Sequence, residues 1–382
     1  MEPDADVLVI GAGAAGLLAA VSAARSGART ILVDRRRKVG AKILISGGTR
    51  CNVTNVEVRE TDFNAPSLPF VRTVLRQFPP KRAREFFEEH GVALKLEPTG
   101  KYFPVTDSAR DVLAGLLGAC ERAGVELRRE ALVAEVRREL DHFAADGGGR
   151  ITAGAVVLAT GGLSYPETGS DGVGYTIARS LGHRIERTSP ALTPLISAAA
   201  PHGDLSGVTV DATLTLWVDG RKALTRTGSF LFTHAGYSGP VALDVSRHWV
   251  RRGWAAASGV RLTASFAGAL SRDEVEAAWL DAARRTPARR AVSLLADWVP
   301  HRLAEAIAAE ARCPPGRPLG QATRDERRRA VETLTAFALP VSGVAGYRKA
   351  EVTAGGVALD EVLARSLESK LCPGLFFCGE IL

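Results

Sequence analysis

Gly11, Gly13 and Gly16 stand at the G-x-G-x-x-G spacing, and Asp34 follows about 20 residues on. That set suits the pyrophosphate and ribose of a dinucleotide. Gly11 permits a tight turn, Gly13 lets the backbone approach the phosphates, and Gly16 lets a helix pack closely on a strand. Ala14 and Ala15 open the helix, whose N-terminus offers free N–H groups and a partial positive charge. Asp34 can accept the hydroxyls of an adenosine ribose. Arg35 beside it would suit a 2′-phosphate, but the acid already holds the ribose position, so NADP is not expected here.

The flanking residues supply the elements that the motif needs. Val7 to Ile10 is a continuous apolar run, as in a strand buried on both faces of a parallel sheet. Ala14 to Ala24 reads as a helix that stops at Gly27, and "RTILVD" reads as the next strand. A tight strand–helix turn that binds nothing is the alternative. The acid at the right spacing, after a strand and a helix, argues against it.

This motif does not choose between NAD and FAD. A second polar, glycine-rich stretch, "KILISGGTRCNVTN" (42–55), follows soon after. Ile43, Leu44 and Ile45 look strand-like. Ser46, Gly47 and Gly48 offer backbone N–H groups to the polar edge of an isoalloxazine. Lys42 and Arg50 can hold pyrophosphate or the negative charge of a reduced flavin. Asn52 and Asn55 are turn formers. Cys51 has no second cysteine near it in sequence, so packing is favoured over a redox role.

The chain resembles the BaiN-like flavoproteins, also known as the aminoacetone oxidase family. The resemblance covers nearly the whole chain. It rests on "GAGAAGL", "KILISGGTRCNVTN", "GKYFPVTDSA", "VVLATGGLSYPETGSDGVGYTIARSLGH", "SPALTPL", "FLFTHAGYSGPVAL", "KAEVTAGGV" and "LESKLCPGLFFCGEI". It implies an FAD-dependent oxidoreductase. One departure is Thr49, where the family often has glycine; its Cβ disfavours a left-handed backbone there. The resemblance also implies a glycine-rich turn and helix beyond Glu380, whereas this sequence stops at Leu382. It is therefore read as C-terminally truncated, with weaker FAD retention expected. Stoichiometric FAD after extensive dialysis would overturn that.

Further along, Ala155 to Ala159 reads as another buried strand, followed by Thr160, Gly161 and Gly162, which the resemblance assigns to the flavin neighbourhood. Val133 is placed by analogy where backbone groups could read adenine. Gly169, Gly172 and Gly174 open a helix, but no strand feeds them and no acid follows at the right distance. They read as a glycine-rich helix start lining the site, not as a separate NAD(P)H fold. Gly379 allows close approach, and Glu380 can accept a ribityl hydroxyl. Candidate proton donors to a substrate are His234, Tyr165 and, least favoured, Cys51. Tyr165 before Pro166 reads as mainly structural.

The expected fold class is α/β: a Rossmann-like, glutathione-reductase-like FAD-binding domain over 1–190 and 346–382. It is interrupted by a β-rich, barrel-like subdomain over 191–268 and a small all-α subdomain over 269–345. Trp279 and Trp298 are expected in the core.

At 382 residues and 40.4 kDa the chain is long enough for two or three domains. Its net charge of +7 comes with arginines scattered over the sequence, so solvated faces are favoured and nucleic acid is not the expected partner. Five cysteines without a C-x-x-C imply neither a disulfide framework nor a metal site. The acidic N-terminus is not a signal peptide, no segment spans a membrane, and a cytoplasmic location is expected. Three functional readings stand: an FAD oxidoreductase on a small organic substrate with NAD(P)H as a transient donor, an RNA-acting flavoprotein, and a flavin-binding protein without turnover.

Overall fold

A computed structural model describes residues 2–253 and 259–382. The chain divides into two compact units, one running to Thr188 and completed by Gly355–Leu382, the other Ser189–Ala354.

The first unit is built on five parallel strands. They are β1 (Ala5–Ile10), β2 (Thr30–Val33), β3 (Glu126–Arg128), β4 (Arg150–Leu158) and β5 (Leu375–Phe377). Their spatial order is β3-β2-β1-β4-β5. Strand β4 carries β5 on its C-terminal half and the antiparallel strand Phe143–Asp146 on its N-terminal half. Leu8, Val9, Leu32, Val156 and Leu158 are completely buried, as an apolar run requires when both sheet faces are covered. Successive side chains point to opposite faces. Leu8 and Ile10 therefore enter one core, while Val9 enters another beneath helix α1 (Ala14–Arg25).

Ile43 to Ile45, which look strand-like in sequence, lie in a short helix, α2 (Ala41–Ile45). The run is too short to alternate and has no strand beside it. Ile43 packs into the core, while Ile45 stays 41% exposed. Helix α3 (Val173–Ser180) starts at Gly172, which is left-handed at φ 87.

The C-terminal segment returns to this unit through a buried histidine. His183 Nε2 lies 2.8 Å from Ser369 Oγ, which already accepts the N–H groups of Leu371 and Cys372. The serine proton must then go to Nε2, leaving the imidazole proton on Nδ1, 3.2 Å from the Glu361 carboxylate. Burial lowers the His183 pKa, and Glu361 only partly opposes this. Below its unfolded value near 6.5 the unfolded chain takes up a proton that the folded chain resists. Stability should therefore fall as pH drops below about 6.5. Melting temperatures measured across this range should show a shallower slope for His183→Asn than for the parent; parallel slopes would exclude His183 as the cause.

The second unit has an antiparallel seven-stranded sheet. Its order is Phe337–Leu339, Arg261–Ser265, Thr209–Val218, Arg221–Thr233, Gly236–Ser238, Leu195–Ile196 and Gly343–Val344. Helix α4 (Pro240–Gly253) packs on the sheet through Val241, Ala242 and Val245. The helices Arg272–Arg285 and Arg324–Thr335 begin with capping boxes, Ser271 with Glu274 and Thr323 with Glu326.

The division expected at 268/269 is absent. Phe230 and Phe232 from the sheet share one core with Trp279, Leu303 and Val331 from the helices. Two strands of the sheet come from the segment expected to be all-α, and α4 comes from the segment expected to be β-rich. The strand neighbours form an open path, not a closed barrel. The ladder between Ser189–Ala191 and Val352–Ala354 belongs to this unit as well, so its limits are 189 and 354 rather than 191 and 345.

Candidate functional site

A cavity of about 390 Å³ opens where β1, β2 and β4 end, within the ~300–1,000 Å³ usual for small-molecule and cofactor sites. The glycine loop forms one wall. Gly11 takes φ 102, its N–H donates to Val33 O at 2.9 Å, and a Cβ there would lie 2.6 Å from Ala159 O. At Gly16 a Cβ would overlap Gly11 O, so this glycine sets the approach of helix to strand. Gly13 differs from both. It has ordinary extended angles, φ −81 and ψ −172, and a Cβ there would meet nothing within 4 Å. Ala14 and Ala15 line the same wall.

Asp34 is fixed at the end of β2. Its Oδ2 accepts from Ala12 N at 2.8 Å and its Oδ1 from Arg36 N at 2.7 Å. Arg35 also lines the cavity but pairs with Asp171, while Arg36 donates to Glu167 O at 2.7 Å. Ala131 N–H donates to Asp34 O at 2.9 Å, which brings Val133, almost fully buried, into the lining beside the acid.

The second glycine-rich stretch forms a tight left-handed corner. Gly47, Gly48, Thr49 and Cys51 have φ values of 55, 67, 70 and 64. Thr49 therefore adopts the conformation that its Cβ was expected to disfavour, at a cost of about 1–3 kcal/mol. The corner is held on both sides: Cys51 N–H donates to Ser46 O at 3.0 Å, and Arg50 is locked outside the cavity. Ser46, Cys51 and Asn52 line the cavity; Gly47, Gly48 and Arg50 do not.

Arg50 was a candidate for pyrophosphate. Its Nη1 instead donates to Glu97 Oε1 at 2.6 Å and Asp107 Oδ1 at 3.3 Å, and its guanidinium sits 4.0 Å from the Phe103 ring centroid. With its charge satisfied there, Arg50 anchors the corner. Lys42 does line the cavity, in a charge cluster with Glu380. Lys42 Nζ donates to Glu380 Oε2 at 2.6 Å and to Ser164 Oγ at 2.9 Å, and Ser164 Oγ donates to Glu380 Oε1 at 2.6 Å. Sequence reasoning missed Ser164. Its neighbours Gly161 and Tyr165 were the available signal, and the partner that gives it meaning is more than 200 residues away.

Thr160 and Gly161 line the cavity, and Gly162 is buried outside it. At Gly161, φ 74, a Cβ would lie 2.7 Å from Ser170 Oγ. Among the described residues the Thr160 hydroxyl is buried without a hydrogen-bond partner, packed against α3 where a Cβ at Gly174 would overlap it. The start of α3 contributes Thr168, Gly169, Ser170 and Val173 to the same cavity, so it serves the first dinucleotide site and makes no second one. Gly379, φ 80, lies where a Cβ would come 2.6 Å from the Cβ of Ala15.

Of the three proton-donor candidates, Cys51 alone lines this cavity. Tyr165 is left-handed at φ 50, and its carbonyl accepts from Thr168 N at 2.8 Å and Thr168 Oγ1 at 2.7 Å, which starts a short 3₁₀ turn. His234 is exposed in the turn between Arg221–Thr233 and Gly236–Ser238, in the other unit. Burial pushes the Cys51 thiol up, outweighing the opposing effect of Ser46, so it stays protonated at neutral pH. Cys51 should alkylate with iodoacetamide at pH 8 several-fold more slowly than an exposed thiol, as mass spectrometry of the modified peptide would show. Alkylation at the rate of free cysteine would contradict its burial.

These residues fit FAD. Gly13 is held open with no folding reason, and Asp34 is presented beside the glycine loop. The corner at Ser46–Asn52 extends the lining beyond what the first loop provides. Residues 5–382 match the family model described as the HI0933-like protein Rossmann domain. The chain belongs to this family. It is an FAD-dependent oxidoreductase.

Two curated relatives span nearly its whole length. The chain is 31% identical to the ribosomal RNA dihydrouridine synthase of Escherichia coli, over 99% of this chain and 91% of that one. It is 30% identical to the 3-dehydro-bile acid delta(4,6)-reductase of Clostridium scindens, over 98% and 92%. Among solved structures, the 3-ketosteroid-delta4-(5alpha)-dehydrogenase of Rhodococcus jostii RHA1 shares the fold at TM-score 0.50 and 16% identity, covering 100% of this chain and 92% of that one. Among the described residues, no helix is long and apolar enough to cross a membrane.

Proposed function

We propose that the protein uses FAD to reduce a carbon–carbon double bond conjugated to a carbonyl, with NADH or NADPH as a transient electron donor. The observation that carries this reading is the shared chemistry of the two relatives' named reactions. Making dihydrouridine saturates a ring double bond conjugated to a carbonyl, and a delta(4,6)-reductase acting on a 3-dehydro bile acid does the same to an unsaturated ketone. A small organic substrate is the first reading. Uridine in RNA is the second, favoured by the Escherichia coli relative.

Bound FAD supplies the hydride. The chain's own residues hold and orient the group. The N-terminus of α1 would hold the pyrophosphate and Asp34 the adenosine ribose, while the Ser46–Asn52 corner with Gly161, Gly379 and Glu380 would hold the remainder. Hydride addition to a conjugated double bond must be completed by a proton. Cys51, a neutral thiol in the lining, is the group proposed to deliver it. Among the described residues no second strand–G-x-G-x-x-G–helix repeat supplies a lasting nicotinamide site. The five unpaired cysteines support work in a reducing compartment, the cytoplasm.

The test uses holoenzyme reduced anaerobically with NADPH or NADH and then mixed with a small α,β-unsaturated ketone or a uridine-containing oligonucleotide. Return of the oxidised flavin band together with an equal amount of the saturated product is expected. Reoxidation by oxygen alone would contradict the reading.

A further inference from the structure

Helix α4 carries a concentration of positive charge that its fold does not explain. Its apolar side is already used, with Val241, Ala242 and Val245 in the core. The other side presents Arg247 and His248, half-buried, and Arg251 and Arg252, exposed. Arg226 joins them from the strand Arg221–Thr233. Its Nε donates to Asp244 Oδ2 at 2.9 Å, so the carboxylate facing the cluster is already engaged. Arg247 Nη2 donates to His248 Nε2 at 2.9 Å, so this imidazole is an acceptor and neutral. Burial, then the neighbouring arginines, push His248 down to about 4, and burial with Arg251 lowers Arg247 as well. Among the described residues neither Arg247 nor Arg252 has a carboxylate partner.

Two structural explanations fall short. Cations in the last turn favour the helix dipole, which accounts for Arg251 and Arg252. It does not account for Arg247, which lies further back, or for Arg226 on the strand. Arg247 and Arg251 are four residues apart, where like charges destabilise a helix. A half-buried guanidinium resting on a neutral imidazole is short of an anion. Forked guanidinium groups suit phosphate oxygens. A lipid surface fits poorly, because α4 exposes no large apolar side chain.

We propose that this face of α4 and the strand Arg221–Thr233 binds the phosphodiester backbone of RNA. The proposal rests on the second reading above, uridine in RNA, for which it names the binding surface, and it is tested without turnover, so that its failure leaves the reduction of a small organic substrate untouched. Fluorescence anisotropy of a fluorescein-labelled oligoribonucleotide of mixed sequence, titrated with FAD-loaded full chain, gives the affinity and its salt dependence. R247Q/R252Q should weaken binding about tenfold or more and reduce the log–log salt slope by about two. R284Q/R285Q, which removes equal charge from the helix Arg272–Arg285, should leave both nearly unchanged. The flavin spectrum and melting temperature report whether each variant is intact. R251Q/R252Q, confined to exposed side chains, replaces the first variant if Arg247 proves necessary for folding. The proposal is overturned if the parent protein does not bind RNA, if R284Q/R285Q is equally damaging, or if polyglutamate or anionic vesicles compete as well as unlabelled RNA.

Discussion

Gly13→Asn is expected to weaken FAD binding about 100-fold or more while leaving the melting temperature of the apoprotein unchanged or slightly raised. Gly13 is the N-cap of α1, in an extended conformation open to any residue, and a Cβ there meets no protein atom within 4 Å. Asparagine is among the strongest N-cap residues, so the helix itself gains. What its side chain enters is the space at the helix N-terminus where the phosphates must sit. Losing two charge-assisted hydrogen bonds, at about 1.5–3 kcal/mol each, gives the stated loss. Gly16→Ala is the contrasting variant. Its Cβ would overlap Gly11 O, an overpacking worth about 1–3 kcal/mol, so it should lower the melting temperature as well. Fluorescence titration with FAD and thermal melts of the apoproteins separate the two effects. Parental FAD affinity in Gly13→Asn would mean that the phosphates lie elsewhere.

Lys42→Met is expected to destabilise the first unit by about 1–3 kcal/mol and to release FAD on dilution. The variant strips the ammonium from Glu380, so the carboxylate keeps its hydrogen bond from Ser164 but loses its cation. Both side chains of the pair are partly open, 29% and 21% exposed. The penalty is therefore set below the ~3–5 kcal/mol of a fully buried orphaned charge. A melting temperature lower by about 5 °C follows for a unit of this size. Adding Glu380→Gln removes the stranded charge, so Lys42→Met/Glu380→Gln should recover at least half of that loss. Equal melting of the single and double variants would show that the two residues are not coupled.

Gly13 and Lys42 are both visible in the sequence, for different reasons. The demands of the first glycine loop are local. Gly11, Gly13 and Gly16 serve a strand, a turn and a helix within one short segment, and each can be read from its spacing. Lys42 and Glu380 were legible as polar residues in two motifs, but their pairing spans 338 positions and depends on β5 lying beside β4. Arg50 misleads for the same reason. Nothing in its neighbourhood announces Glu97 and Asp107, which are 47 and 57 residues away and take up its charge. Ile43 to Ile45 is apolar enough for a strand, yet a strand needs a partner, and the chain supplies none there. Helix α4 hides behind Gly239 and Pro240 at the end of a β-patterned segment. The shared core of the second unit was not legible either, because periodicity identifies the elements but not which faces meet.

The most direct test of the central claim, that this cavity holds FAD and works as an oxidoreductase site, is a visible absorption spectrum of the purified protein before and after anaerobic NADH or NADPH. A flavin spectrum that bleaches with either donor is the expected result. A colourless protein that also rejects added FAD would contradict it.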